Sequence, residues 1–351
     1  MKTDKFVNKK PFIIAGPCSA ESENQVLETA HQIKDFTDVF RAGIWKPRTK
    51  PNSFEGIGEE ALLWLNKVQK EKKLKVATEV ATAKHVELCL EKGIDMLWIG
   101  ARTTVNPFYV QEIAEALKGV DIPIFVKNPI HPELSLWIGA LERLNKVGIK
   151  KLSAIHRGFF TYESSAFRNE PKWELPIKLR KEIRDLPIIC DPSHISGERD
   201  LIEELSQIAM DLDMNGLMIE THHHPEVALS DANQQITPKN LSKLIDNLIL
   251  RKKYFENNIL SSELNKFRKK IDNLDMEIVE KVNLRIDLVE KIAELKMKND
   301  LTIFQIERWF EILKNRKEQA IKLGVDPKMI TDIFELIHKY SILIQSTIMK
   351  K

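Results

Sequence analysis

The stretch LPIICDPSHISGERDLIEELSQIAMDLDMNGLMIET, residues 186–221, reads as one complete structural unit. It opens with a short apolar run, LPIICD, breaks at Pro192 and Gly197, continues through LIEELSQIAMDLDM at helical spacing, and closes on a second run, GLMIET. Two strands joined through a helix lie parallel, because the helix carries the chain back to the edge where it started. Outward from this unit the rhythm repeats. Strand-like runs occur at PFIIAG (11–16), VFRAGIW (39–45), KVATEV (75–80), MLWIGA (96–101), IPIFVK (122–127) and KLSAIH (151–156), with helical segments such as EEALLWLNKVQKE between them. Eight strands alternating with helices over roughly 250 residues predict a (β/α)8 TIM barrel. A doubly wound open sheet is the competing architecture, but it usually carries a glycine-rich dinucleotide turn after its first strand, and GPCSAES (16–22) is not that turn.

Composition narrows the function classes. The chain has 351 residues, 43% hydrophobic and 30% charged, which suffices for a sizeable core and excludes a disordered chain. A net charge of +3 gives no support to nucleic-acid binding. Nowhere do eighteen apolar residues run uninterrupted, so no membrane span is expected. MKTDKFVNKKPF at the N-terminus is charged and lacks the apolar run of a signal peptide. Three widely spaced cysteines (Cys18, Cys89 and Cys190) argue against a disulfide framework and for a reducing compartment, so a cytoplasmic protein is expected.

The two parts of the chain differ. Of 13 glycines only Gly324 lies beyond Gly216, and of 15 prolines only Pro327 lies beyond Pro238. The punctuation of strand–loop–helix architecture therefore stops near position 240, and a helical run rich in Leu, Ile, Lys and Glu follows. RKKYFENNILSS (251–262) is the expected linker or connecting helix, with the boundary near 258. The chain is thus expected to be α/β plus all-α: a barrel over 1–258 and a helical domain over 259–351.

In a barrel, function collects at the C-terminal ends of the strands. Those ends carry Cys18, Lys46 with Arg48 and Thr49, Glu79, Arg102, Lys127, His156 with Arg157, Asp191 with His194, and Glu220 with His222. Cations crowded on one mouth repel unless an anion binds among them, which points to a phosphorylated substrate. Cys18, His194, Glu220 and Asp231 offer a sulfur, an imidazole and two carboxylates, a set suited to one divalent ion, manganese first, then iron, cobalt or zinc. Cys18 reads equally as a buried small hydrophobe. At most one or two of His222, His223 and His224 can face the mouth, since side chains alternate along an extended segment. His31 and His85 read as surface or packing residues, and Cys89 and Cys190 as core thiols.

GPCSAES, RAGIWKPRTKPNSFEGIG (41–58), IGARTT (99–104), DPSHISG (191–197) and LMIETHHHPEVALSDANQQ (217–235) together resemble 3-deoxy-D-arabino-heptulosonate 7-phosphate (DAHP) synthase in its compact form. KPRT is highly specific, since the sister enzyme that makes the octulosonate phosphate differs at that loop. The resemblance implies condensation of phosphoenolpyruvate with erythrose 4-phosphate and release of phosphate. It implies Cys18, His194, Glu220 and Asp231 as metal ligands, and Arg41, Lys46, Arg102, Lys127 and Arg157 as ligands of phosphoenolpyruvate. Arg48 and Thr49 would hold the phosphate of erythrose 4-phosphate, and Lys46 would assist proton transfer. This sequence departs from the family at His156, where a glutamate commonly precedes the arginine, and at Lys50, where serine is usual.

Residues 263–298 have helical spacing with an apolar stripe of Leu264, Phe267, Ile271, Leu274, Ile278, Val282, Val289 and Ile292, into which Arg285 and Lys296 intrude. A second stripe, Ile330, Phe334 and Ile337, runs on through Ser341 and Gln345. Cations on a core stripe point to an enclosed anion, or else to a dimerisation module whose long side chains snorkel at its edge. LNKFRKKIDNLD (264–275), ERW around Arg308 and IFELIHKYSILIQ (333–345) resemble the all-helical chorismate mutase. That resemblance implies Arg268, Arg285, Lys296, Arg308, Ser341 and Gln345 as ligands of chorismate. It also implies an intertwined homodimer in which Arg268 serves the other copy's site. Trp309 departs from the family, which usually has a glutamate there for the substrate hydroxyl; the neighbouring Glu307 is the candidate substitute.

The expectation is a bifunctional enzyme. One alternative makes the helical part a non-catalytic sensor of chorismate or prephenate, and another makes the barrel a Schiff-base aldolase using Lys127 or Lys46. The first strand run opens at Pro11, leaving no room ahead of it for a regulatory domain, so feedback by prephenate is expected to act through the helical part.

Overall fold

The computed structural model describes residues 10–46, 54–162, 165–251 and 258–350. The chain divides into two compact units, Met1–Lys253 and Tyr254–Lys351.

In the first unit the strands are β1 (Phe12–Gly16), β2 (Val39–Arg41), β3 (Lys75–Val80), β4 (Met96–Ile99), β5 (Ile124–Lys127), β6 (Leu152–His156), β7 (Ile188–Cys190) and β8 (Gly216–Glu220). They pair in sequence order and close, β8 lying parallel to β1 with Phe12 opposite Gly216 and Gly16 opposite Glu220. All eight expected runs form strands. The second stops at Arg41 rather than reaching Trp45, because the chain leaves the sheet there and crosses the mouth. Gly43 permits that crossing: a Cβ there would lie 2.9 Å from the Cys18 carbonyl oxygen and from Lys46 Nζ.

The helices are α1 (Glu23–Ile33), α2 (Glu60–Lys67), α3 (Ala83–Glu91), α4 (Ala101–Thr104), α5 (Pro107–Ala116), α6 (Leu134–Lys146), α7 (Glu174–Glu182), α8 (Pro192–Ser196), α9 (Ile202–Asp211) and α10 (Pro238–Asn247). Ser22, Thr82, Asn106, Asp191 and Thr237 start α1, α3, α5, α8 and α10, each side chain accepting from a backbone N–H of the first turn. The period-2 alternation of the strands separates two cores. Ile14, Val39, Ala77, Met96, Trp98, Phe125, Ile155, Ile189 and Met218 fill the barrel interior. Their strand neighbours, among them Ile13, Phe40, Val76, Leu97, Val126, Ala154 and Leu217, join the larger core formed with the helices.

The second unit is three helices, α11 (Asn258–Lys298), α12 (Ile306–Lys322) and α13 (Pro327–Met349), with α13 packed on both others. Part of the expected linker is therefore helix from Asn258 on; residues 252–257 lie outside the described residues. Among the described residues this unit buries few apolar side chains, namely Val289, Ala293 and Ala320. Phe267, Ile271, Leu274 and Ile278, the N-terminal half of the expected stripe, are each more than half exposed.

Candidate active sites

The same alternation that fills the barrel decides which strand ends reach its mouth. Arg41, Glu79, Lys127 and Glu220 each stand two residues beyond an interior residue (Val39, Ala77, Phe125 and Met218) and so point inward. His156 follows interior Ile155 and points the other way, a correction to its expected place at the mouth. It is wholly buried, its ring among Trp137, Phe159 and Trp173. Burial, with Arg157 adding, pushes its pKa down to about 3, so the imidazole is neutral.

Three of the four expected metal ligands converge, and the fourth, His194, stands beside one of them. Donor atoms of Cys18, Glu220 and Asp231 lie within 4.8 Å of one another. Cys18 Sγ is 3.2 Å from Asp231 Oδ2, and His194 Nε2 is 3.7 Å from Glu220 Oε1. Asp231 takes a left-handed φ of 49°, which aspartate tolerates better than most residues. Asp191 caps α8 through the His194 N–H and also meets His194 Nδ1 at 2.8 Å, which turns Nε2 toward Glu220. Burial pushes the Cys18 thiol up to about 12, with Glu220 beside it adding to the effect. Burial opposes the charge of Asp231, but Arg168 and His194 outweigh it and hold that carboxyl well below its ordinary value. Glu220 Oε1 is buried and makes no hydrogen bond; its neighbours are Arg41 Nη1 at 3.2 Å and His194 Nε2 at 3.7 Å. A thiol and two carboxylates within reach of one another, with an imidazole beside Glu220 and a carboxylate oxygen that makes no hydrogen bond, suit one divalent cation.

Around this cluster stand the cations. Lys46 Nζ is 3.0 Å from Cys18 Sγ. The Arg41 guanidinium lies 4.9 Å above the Trp98 ring and donates to the Cys18 carbonyl at 2.9 Å. Lys127 pairs with Asp191 at 2.8 Å and lies 5.9 Å from the same ring. Burial opposes the Asp191 charge, yet His194 and Lys127 hold its carboxyl well below the usual range. Arg157 donates to Asn169 Oδ1 at 2.7 Å, and burial, with the nearby cations Arg168 and Arg102, pushes its pKa down to about 10 despite Asp191. Several cations compressed around one opening leave a place for an anion. Arg48 and Thr49 lie outside the described residues.

Sequence reading missed the supports. Trp98 floors the mouth and donates from Nε1 to Glu79 at 2.9 Å. Arg168 donates to Asp231 Oδ1 at 2.9 Å and to Gln234 Oε1 at 2.6 Å, and Gln234 in turn donates to Glu220 Oε2 at 2.7 Å. Gln235 accepts from the Cys18 N–H at 2.9 Å. Gln234 and Gln235 stand near Asp231 in sequence and were open to suspicion as polar neighbours; Arg168 sits in a loop without periodicity and gave no signal. The histidine triplet does not join the cluster. His222 is buried and stacked on His223, His223 meets Thr29, and His224 meets Glu226 outside. Cys89 and Cys190 are core thiols as expected, and His85 packs flat on Trp45 at 3.9 Å.

In the helical unit Arg285 donates to Ser341 Oγ at 2.6 Å, and Ser341 and Gln345 are buried on one face of α13. Lys296 donates to the Ile303 carbonyl at 2.6 Å. Burial, with the nearby Arg316, lowers the pKa of Arg285, and burial lowers that of Lys296. Gln345 Oε1 is buried without a partner. Arg268 is exposed on α11, and Arg308 pairs with Glu311 at the surface, so neither meets the other expected ligands within one chain.

The barrel and its mouth define a class: an enzyme of anionic, phosphorylated substrates built around a cluster able to hold one divalent ion. Residues 6–257 match the DAHP synthetase I family, and residues 267–346 match chorismate mutase type II. A phospho-2-dehydro-3-deoxyheptonate aldolase of Thermotoga maritima is 32% identical over 237 residues, 67% of this chain and 68% of its own length. A 2-dehydro-3-deoxyphosphooctonate aldolase of Variovorax paradoxus is 27% identical over 68% of this chain and 89% of its own. The crystal structure of the Thermotoga maritima DAHP synthase aligns with a TM-score of 0.61 at 31% identity, covering 68% of each chain. A truncated form of that organism's enzyme aligns at 0.58 and 29% identity, covering 68% of this chain and 85% of its own. The chain belongs to the DAHP synthetase I family and carries a chorismate mutase type II domain C-terminal to it in sequence. It unites DAHP synthesis and chorismate rearrangement in one polypeptide.

Proposed function

We propose that the mouth of the barrel, within a domain of residues 1–258, joins phosphoenolpyruvate to erythrose 4-phosphate. The observation that carries this reading is the convergence of Cys18, Glu220 and Asp231 within 4.8 Å beneath a ring of cations. Arg102, Lys127 and Arg157 hold phosphoenolpyruvate, and Arg41, whose Nε makes no hydrogen bond, joins them. Arg48 and Thr49 hold the phosphate of the aldehyde. Lys46, beside Cys18, assists proton transfer to the aldehyde oxygen as the enol carbon attacks the aldehyde carbon. A water adds to the carbon that bears the phosphate and phosphate leaves, while the cations keep both anions in reactive geometry. A divalent ion on Cys18, His194, Glu220 and Asp231, manganese by preference over iron, cobalt or zinc, supplies polarisation of the aldehyde oxygen. The Schiff-base alternative is disfavoured because the Lys127 amine is locked to Asp191 and Lys46 to the thiol.

Residues 259–351 rearrange chorismate to prephenate. The reaction is pericyclic and needs restraint of a folded dianion with cations at the breaking ether bond. Arg285, Lys296, Arg308, Ser341 and Gln345 are assigned that task, with Arg268 reaching into the site of a second copy. A homodimer through α11 is supported by its bare apolar face; Phe267, Ile271, Leu274 and Ile278 keep more than half of their surface exposed, and covering that remainder would gain about 1–2 kcal/mol each. Prephenate is the proposed feedback inhibitor. The compartment is the cytoplasm, in keeping with three free thiols; no helix among the described residues is long and apolar enough to cross a membrane.

The test uses the intact chain. Phosphate release from phosphoenolpyruvate should require erythrose 4-phosphate and stop with a chelator, and chorismate should disappear in a separate assay. Absence of either reaction overturns the corresponding half of the reading.

A further inference from the structure

The face of α13 that carries Ser341 and Gln345 carries a third polar residue, His338, at the i, i+3, i+7 spacing that aligns side chains on one side of a helix. Its ring lies against Trp309 of α12 with centroids 4.0 Å apart and planes at 12°, and Phe304 tilts against it at 5.7 Å. Nε2 is buried and has no hydrogen-bond partner. Burial, then Arg285 and Lys296 nearby, lowers its pKa, so the ring is neutral and close to both cations. A buried nitrogen left without a partner costs about 1–3 kcal/mol, and both neighbouring cations, beyond their bonds to Ser341 and the Ile303 carbonyl, have further N–H donors that an anion can take. One ligand satisfies all three: an anion whose oxygens accept from Arg285, Lys296 and the imidazole N–H together.

We infer that His338, held flat by Trp309, is a substrate-contacting residue of the helical site, donating from Nε2 to an oxygen of the bound dicarboxylate. The inference deepens the mutase reading and rests on it. It also assigns a purpose to Trp309, which stands where a carboxylate is usual: the indole orients the imidazole, and the imidazole takes over the polar contact.

The experiment compares wild type with His338→Leu and His338→Gln in the full chain, following chorismate turnover and chorismate binding by calorimetry. Helix content by circular dichroism checks folding. Leucine should raise the KM for chorismate about tenfold, the size of one lost hydrogen bond, with a smaller change in kcat. Glutamine, which keeps an N–H, should restore most of that loss. Unchanged KM in the leucine variant, or an equal defect in both variants, overturns the contact. Wild type that binds chorismate without turning it over would sink the mutase reading alone, and the Kd values of the two variants would then decide the contact. Wild type that neither binds nor converts chorismate would sink both.

Discussion

Cys18 is a thiol that burial keeps protonated, and its replacement tests the proposed metal site at a single atom. Cys18→Ser should lower the synthase rate by more than about a hundredfold and strip bound metal, because a hydroxyl is a poor ligand for a borderline ion. Mutase turnover should be unaffected. Full synthase activity with normal metal content would remove Cys18 from the ligand set. His156 gives a different prediction. Its folded pKa of about 3 lies below the ordinary value of 6.5, so between those values the unfolded chain binds the extra proton. Stability is intact above about pH 7 and drains as pH falls, by about 2 kcal/mol at pH 5. In His156→Leu the unfolding midpoint of the barrel should fall less between pH 7.5 and pH 5 than in wild type; equal falls would show that the imidazole is not buried neutral. The residue types at the mouth were legible in the sequence, but their pairing was not. Lys127 meets Asp191 across 64 positions and Cys18 meets Asp231 across 213, and no local pattern encodes which cation each carboxylate restrains.

At the scale of elements, the strands were the easiest part to read. Each is a short run of apolar residues bounded by turn formers, and all eight formed. The misplacement of His156 came from the one variable that run length does not fix, the inward or outward phase of the last residue. Helix α11 poses the converse case: its stripe was visible, but a stripe does not say whether its cover comes from the same chain. The structure leaves Phe267, Ile271, Leu274 and Ile278 exposed, and a second copy is the proposed cover. Leu274→Glu, which places a charge in that cover, should shift the chain toward monomer in sedimentation velocity and lower mutase turnover in step. A variant that keeps the wild-type mass would show that α11 is not the interface.

At the scale of the molecule, the proposal ties a biosynthetic entry reaction to a later one, and regulation becomes a coupling between two units. An effector shifts a conformational equilibrium only through its difference in affinity between the two states, typically about 1–3 kcal/mol. Prephenate should inhibit phosphoenolpyruvate consumption by wild type. Arg285→Ala should abolish both chorismate turnover and that inhibition while sparing the uninhibited synthase rate. Inhibition of equal depth in the variant would mean that prephenate acts on the barrel.

The sparse interior of the helical unit, with Val289, Ala293 and Ala320 its buried apolar side chains among the described residues, also bears on how the protein comes into being. The barrel emerges first from the ribosome and can close its core alone. The helices follow, and under the proposed homodimer they would hold their stripe in water until another newly made chain arrives, which would make maturation of this half a bimolecular event. Its pace would then be set by the rate of synthesis as much as by the sequence. A cell that makes few copies would possess a finished synthase before it possesses a finished mutase.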